Sequence, residues 1–492
     1  MIVIKRCLRI MVFVGLINAS YAEQDVVSLF PMSNYDQNIA TWIKPDAPDY
    51  DKPILNSEIQ QQHYNKFLEH YVGGFSPWNR EYISNILHQS SPDDLKSVEQ
   101  GVIDDFSNDN KEPALVGYGE NFRPYNPQWI NNIAQNINLS QLENFTYQNQ
   151  NRAITIDNLP ARALPTFDVH FYHHKIAGQG FPFDNLQESA MWAGTPVYII
   201  SETNDKAWML AASPEYIAWV PSKGIARVDE HFINRWTTAA NNKLAAITRT
   251  KSEVIDKNGS YLFSAYVGSV FPAHKTVNGI EMMVPAANAN HTAVIKNVLM
   301  PANSASIMPL LATPHHFATL MQTLIGRPYG WGGMYFYNDC SLEMKSLLTP
   351  FGIWLPRHSA DQVTVGKMDD LTYFSPEKRL NYLKDHGKRF LSLIYIDGHV
   401  VMYIGSYDNP NKPGTSMAMT YQNMWGLRPH TDDRRVVIGG AVLFPLLPEF
   451  PEDTELTSQA SKKYFQISYL DELGPSFKQP SNLKIHKGVE FR

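Results

Sequence analysis

The sequence predicts an α+β chain built from several domains. Three observations carry that reading: helix-period apolar patterning early in the chain, short β segments at barrel-like spacing in its middle, and a single cysteine opening an apolar helix ahead of four strand candidates. At 492 residues the chain has room for about three domains of ~150 residues each. Charged residues make up only 18% and the formal charge is −6, which argues against nucleic acid as a partner, since that would favour a basic face. Aromatics at 12% and 32 prolines suit short elements with large side chains near surfaces, as in carbohydrate or peptide clefts, although cores use aromatics too.

Residues 1–22 read as a cleavable export signal. Lys5, Arg6 and Arg9 precede an apolar run from Ile10 to Ile17, and the small residues Ser20 and Ala22 fit a signal-peptidase site that leaves Glu23 as the mature N-terminus. The run is far short of the ~20 residues a spanning helix needs, and no later stretch reaches that length. A soluble mature protein, periplasmic or secreted, is therefore expected.

Residues 23–152 are rich in Asn, Gln, Pro and Tyr and read as an irregular, partly helical region, with helices at Ser57–Tyr71, Pro77–His88 and Pro92–Phe106. Two small β barrels are expected next, at 153–235 and 236–305. The first draws on Thr195–Ser201, Ala207–Ala212 and Ile217–Pro221, the second on Tyr261–Tyr266, Gly279–Pro285 and Ala293–Leu299, with a helical linker around Glu230–Ala246 between them. Residues 306–450 form the last domain. A helix at Pro314–Ile325 stops at Gly326-Arg327-Pro328, and Leu342, Met344, Leu347 and Leu348 give a second helix an apolar face. Four strands follow at Phe390–Ile396, His399–Ile404, Ser416–Tyr421 and Val436–Phe444, with Asp397-Gly398 as a hairpin turn. Residues 451–492 read as a wrapping tail.

Cys7 lies in the expected signal, so Cys340 is the only cysteine left after its removal. An exported thiol with no internal partner is an oxidation liability, which makes nucleophilic chemistry its readiest justification. Its place at a helix start favours thiolate through the helix dipole and free amides, against the alternative of a buried structural cysteine. His399, opening a strand after a tight turn, is a candidate general base. Gln422, at the end of the next strand, is a candidate to orient the imidazole, and a polar strand end capping a loop accounts for it equally well.

Pro328-Tyr329-Gly330-Trp331-Gly332-Gly333, Asp339-Cys340-Ser341, Leu355-Pro356-Arg357-His358-Ser359-Ala360-Asp361-Gln362 and Gly398-His399-Val400 together resemble the NlpC family of papain-like cell-wall cysteine peptidases. Upstream, Leu186-Gln187-Glu188-Ser189, Gly194-Thr195-Pro196-Val197, Trp208 and Trp219-Val220 resemble the bacterial SH3-like domain of its multidomain members; Gly259–Leu299 resembles a second such domain. The N-terminal region is similar to the stabilising segment found before them. The resemblance implies a papain-like domain, a helix-borne cysteine against an antiparallel sheet, with Cys340 as nucleophile, His399 as base, Gln422 as the third polar residue and Tyr329 near the oxyanion. Many relatives carry His where Gln422 stands. Asp339, Ser341 and Ser359 are implied binders of the stem peptide's free L-Ala amine, with Glu188 at the same pocket and Arg357 a further substrate-binding candidate; related members have Asp where His358 stands. The implied reaction is hydrolysis of the γ-D-glutamyl–meso-diaminopimelate bond of peptidoglycan stem peptides or released muropeptides, by a monomer, without metal or cofactor.

Two other readings compete: a non-catalytic wall-binding scaffold, and amidase or acyl-transfer chemistry on the same dyad. Intact Cys340 and His399 argue against the scaffold. His170, His173 and His174 cluster in sequence without a ligand-like Cys or carboxylate beside them and read as loop or surface histidines.

Overall fold

The structure is a computed structural model describing residues 27–475, apart from 90–91, 144–145, 174–175, 177, 410–413, 415 and 431–433, together with 484–485. The expected export signal at 1–22 lies outside the described residues. Among those residues no helix is long and apolar enough to cross a membrane.

The N-terminal region supplies strand β1 (Val27–Leu29) and helices α1 (Ile39–Trp42), α2 (Ser57–Tyr71), α3 (Arg80–Gln89), α4 (Pro92–Phe106) and α5 (Pro127–Asn136). Asn56 starts α2 by accepting the Glu58 and Ile59 amides with its side chain. Tyr64, Phe67 and Tyr71 on this helix join the core of the second barrel. The Tyr71 hydroxyl lies 3.0 Å from the Gly194 carbonyl oxygen and 3.1 Å from that of Val270, one in each barrel. This helix is therefore a wedge between domains.

The first barrel contains β2 (Arg152–Thr155), β3 (Leu159–Arg162), β4 (Gln187–Met191), β5 (Pro196–Glu202), β6 (Trp208–Ala212), β7 (Tyr216–Pro221) and β8 (Ile225–Arg227), hydrogen-bonded in the order β4-β3-β7-β6-β5-β2-β8. Helix α6 (Glu230–Asn242) leads into the second, built from β9 (Leu244–Ile247), β10 (Ser252–Ile255), β11 (Tyr261–Ala265), β12 (Val270–Thr276), β13 (Gly279–Ala287), β14 (Ala293–Met300) and β15 (Ala305–Ile307). The helical linker stops earlier than its composition suggests. Leu244-Ala245-Ala246-Ile247 pairs with β12 and β15 instead, and all four residues are fully buried, so sheet pairing and burial override the helix preference of alanine.

The last domain carries α7 (Pro314–Leu324), α8 (Cys340–Leu348), α9 (Ser359–Gln362), β16 (Gly366–Asp370), α10 (Pro376–His386), β17 (Ser392–Ile396), β18 (His399–Asp408), β19 (Ser416–Leu427), β20 (Arg435–Leu446) and β21 (Gln466–Leu473). Its sheet runs β1-β20-β19-β18-β17-β21-β16 and is antiparallel apart from β1, which pairs parallel to β20 at one edge. Helix α8 buries Met344, Leu347 and Leu348 in one core with Val400, Met402 and Tyr421 from β18 and β19. On the opposite face Leu383 of α10 joins Ile394, Val401 and Tyr403.

Two expectations change here. The segment from 451 is more than a wrapping tail, because β21 inserts between β17 and β16 and pairs with both. Gln422 does not end its strand: β19 continues to Leu427, paired along β20 with an irregularity at Met424/Gly426.

Candidate active site

Cys340 is the first residue of α8, and Asp339 caps the helix by accepting the Leu342 amide at 2.9 Å. The sulfur is buried, at 9% residue exposure. Amides of Val400 and Ser341 and the Arg357 guanidinium favour its ionised form, but burial and the Asp339 carboxylate outweigh them and push the thiol up to about 12. Desolvation therefore acts against the helix dipole that favours the thiolate. Val400 directly follows His399 on β18, so the strand that supplies an amide to the sulfur also starts with the imidazole.

The hairpin turn before His399 is tight, with Asp397 and Gly398 both at positive φ (46° and 91°). His399 Nε2 lies 2.8 Å from Gln422 Oε1. Which atoms carry protons follows from the chain of donors behind it. Thr420 commits its hydroxyl proton to the Phe444 carbonyl at 2.6 Å, so its oxygen can only accept from the Gln422 amide nitrogen, 2.9 Å away. Gln422 must therefore present its carbonyl oxygen to His399, which places the proton on Nε2 and leaves Nδ1 with its lone pair. Burial lowers the imidazole pKa, opposed by Gln422 and by Asp339. Burial thus disfavours charge on both thiol and imidazole.

Tyr329 is fixed by its amide, which donates to the Gly439 carbonyl at 2.9 Å. Burial first, then the Cys340 and Asp339 charges, raise its phenol well above the ordinary value. It stays protonated and can donate a hydrogen bond beside Cys340.

The other flank of Cys340 is ionic. Arg357 donates from Nη2 to Asp339 Oδ2 at 2.5 Å, from Nη1 to Ser341 Oγ at 2.7 Å, and from Nε to Ser189 Oγ of β4 at 2.7 Å. Two expected amine binders, Asp339 and Ser341, are therefore engaged with Arg357, the further substrate-binding candidate. The backbone carbonyl of Glu188 lies 3.4 Å from Arg357 Nη2, which brings this residue to the same cluster from the first barrel. Ser359 is tied to the His399 turn, donating to the Gly398 carbonyl at 3.1 Å. Gln362, in the same motif, donates to the Ser341 carbonyl at 2.8 Å and anchors the Arg357 loop on α8.

Behind the nucleophile sits Glu343, almost fully buried and raised in pKa by burial against the pull of its partners. Its carboxylate accepts from the Tyr421 hydroxyl and from Asn338 Nδ2 at 2.8 Å; Asn423 Nδ2 donates to the Asn338 carbonyl at 2.9 Å. These bonds hold the Asn338-Asp339 turn against β19 and so set where α8 begins. Gly332 and Gly333 serve the domain seam. Both have positive φ (56° and 76°), and a Cβ on them would lie 2.2 Å from the Gln187 carbonyl oxygen and 2.7 Å from the Ala190 amide, both on β4.

A cleft of about 260 Å³ opens beside His399, lined among others by Phe183, Tyr329, Trp331, Trp425 and Gln459. Phe183 meets Trp331 and Trp425 edge-on at 5.2 and 5.3 Å between centroids, so the first barrel contributes an aromatic wall. The structure brings together Cys340, His399, Gln422 and Tyr329, and it brings Asp339, Ser341, Arg357 and Glu188 into an adjoining cluster. Sequence reasoning assigned no part to Thr420, Glu343 or Gln459. The first two lay inside readable motifs; Gln459 had no signal at all. His170 departs from its surface reading: it is buried, edge-on to Phe106 at 4.9 Å, and burial lowers its pKa to about 3.

Fold and cleft together define a class: a papain-like, peptidase-like domain held against two SH3-like barrels. Comparison with known proteins points the same way. The N-terminal NLPC_P60 stabilising domain matches residues 7–142, an SH3 domain of SH3b1 type matches 170–221, and an SH3 domain of SH3b2 type matches 229–276. An NlpC/P60 endopeptidase from Photobacterium damselae subsp. piscicida shares the fold with a TM-score of 0.74 and 27% identity, over 89% of this chain and 98% of that one. An NlpC/P60 family protein from Bacillus cereus aligns at 15% identity and a TM-score of 0.42, over 62% of this chain and 98% of that one. No curated protein matches. The chain thus resembles NlpC/P60 proteins, with the N-terminal stabilising domain and tandem SH3b domains matched in sequence and the whole fold shared with an NlpC/P60 endopeptidase.

Proposed function

We propose that the chain is an exported peptidoglycan hydrolase, a cysteine endopeptidase that cleaves the γ-D-glutamyl–meso-diaminopimelate bond of stem peptides. The observation that carries this reading is the hydrogen-bond chain from Phe444 through Thr420 and Gln422 to His399, which leaves Nδ1 of the imidazole unprotonated beside the strand that meets the Cys340 sulfur. A binding scaffold has no use for a single imidazole tautomer. The SH3b domains and the family likeness support the wall as the target.

In this mechanism the thiol proton passes to His399 Nδ1 as Sγ attacks the γ-carbonyl carbon. The oxyanion is stabilised by the Tyr329 hydroxyl and the Cys340 amide. Collapse breaks the C–N bond, and the diaminopimelate amine leaves with the proton from His399. A water, deprotonated by the same nitrogen, then hydrolyses the thioester and restores the thiol. No step needs a metal or cofactor.

Incubation with L-Ala-γ-D-Glu-meso-diaminopimelate, beside a Cys340→Ala variant, tests the proposal. Cleavage at the γ-D-Glu bond by the wild-type chain and none by the variant is the expected result. Binding by both with cleavage by neither would leave a wall-binding scaffold.

A further inference from the structure

We propose that Gln459 is a positioning residue for His399, acting through Gln422; the inference rests on the reading of Cys340 and His399 as the reacting pair. Gln459 comes from the segment after the last strand of the expected peptidase domain. It begins a single 3₁₀ turn, Gln459–Ser461, and is 6% exposed where it lines the cleft.

Its side-chain amide pairs reciprocally with that of Gln422. Gln459 Nε2 donates to Gln422 Oε1 at 2.8 Å, and Gln422 Nε2 donates to Gln459 Oε1 at 3.2 Å. Such a pair is satisfied in two senses, as found or with both amides rotated by a half turn. Thr420 selects the sense, because its oxygen is available only as an acceptor. Gln459 makes the selection hard to undo. With Gln459 present, Gln422 can turn its NH₂ toward His399 only if a second buried amide turns with it. Without Gln459, rotating Gln422 alone forfeits the single bond to Thr420. The rotated amide would stabilise the tautomer carrying its proton on Nδ1, which cannot accept the thiol proton.

The turn that carries Gln459 is held firmly. Buried Arg379 of α10 donates from Nη1 to the carbonyls of Ala460 at 2.7 Å and Lys462 at 2.6 Å, and from Nη2 to that of Thr372 at 2.6 Å. Ser458 Oγ accepts the Ala460 amide at 3.0 Å. Charged and titratable groups around His399 are Asp339, which caps α8, Cys340, which meets the amide of the adjoining Val400, Asp397 in its own turn, Tyr329, and Arg428, Arg435 and Lys462 along the cleft. All of them persist when Gln459 is changed.

The test uses full-length ¹⁵N-labelled protein, with His399 resonances assigned from a His399→Gln sample, and the stem tripeptide as substrate. In Gln459→Leu we expect the Nε2–H tautomer to give way to a mixture, the imidazole to titrate at lower pH, and kcat to fall about tenfold with KM little changed. Gln459→Glu should move the titration the other way, since a carboxylate still accepts the Gln422 NH₂ and adds negative charge near the imidazole. A merely structural role would lower the melting temperature in both variants without opposite titration shifts. A wild-type tautomer and titration in Gln459→Leu would overturn the proposal; should that variant fail to fold, an unshifted imidazole in Gln459→Glu would do so. If tautomer and titration shift as expected but the wild-type chain cleaves no stem peptide, the hydrolase reading fails and the positioning role stands.

Discussion

The two flanks of Cys340 are built on opposite principles. On the side of the first barrel, Arg357, Asp339 and Ser341 form a buried ionic cluster that also takes in Ser189 of β4. On the side of the sheet, Thr420, Gln422 and Gln459 form a buried cluster of neutral groups. A buried charge is tolerable only with its partner in place, so the ionic flank should govern whether the domains hold together. The neutral amides leave no uncompensated charge and instead fix a proton's position, so that flank should govern rate. Position relative to the nucleophile is similar; the physics divides the labour.

The largest expected effect would break the ionic side. Arg357→Ala leaves Asp339 buried and unpaired and should destabilise the fold by about 3–5 kcal/mol, read from denaturant melts. A loss under 1 kcal/mol would mean the cluster is solvated and not a structural bond. Next comes Gln422→Ala, expected to lower kcat about tenfold or more and, by leaving buried partners unsatisfied, to cost about 1–3 kcal/mol of stability. An unaltered rate and pH profile would remove it from the site.

The seam offers an intermediate case. Gly332→Ala forces a left-handed backbone on a residue with a Cβ, at roughly 1–2 kcal/mol, and pushes that Cβ into β4. Limited proteolysis should then cut between the first barrel and the peptidase-like domain sooner than in wild type; an unchanged digestion pattern would show that the barrel docks elsewhere. The thiol provides a pH test. Because burial and Asp339 raise its pKa, alkylation of Cys340 by iodoacetamide should be slow near neutrality and accelerate steadily as the pH rises above 8. A fast, pH-independent reaction from pH 6 upward would reveal a resting thiolate. The smallest effect belongs to Ser359→Ala, which removes one part-exposed hydrogen bond to Gly398 and should cost about 0.5–1.5 kcal/mol.

Local signals were legible where one element's own residues decide its form. Helices α2 and α4 occupy the ranges their patterning indicates, and strands β5 to β7, β17, β18 and β20 fall within a few residues of the sequence reading, whereas β19 runs on past Tyr421 to Leu427. Helix α10 and strands β9, β16 and β21 were not readable. Gln466–Leu473 alternates poorly and carries Asp471 and Glu472, yet its place inside a seven-stranded sheet makes it a strand. Leu244–Ile247 shows the same override in a stretch that reads as helix.

By itself the sequence determined that one cysteine stands at the start of an apolar helix, that a histidine opens a strand after a hairpin turn, and that SH3-like barrels precede them. These depend on periodicity, turn chemistry and motif spacing, all properties of neighbours along the chain. Tertiary structure alone decided the protonation states and the supporting cast. Burial set itself against the expected thiolate, Arg357 took up the carboxylate expected to receive an amine, and Gln459 reached the imidazole's orienting amide from 37 residues away. Desolvation and long-range hydrogen bonds depend on what is near in space, and no local pattern of residue types records that.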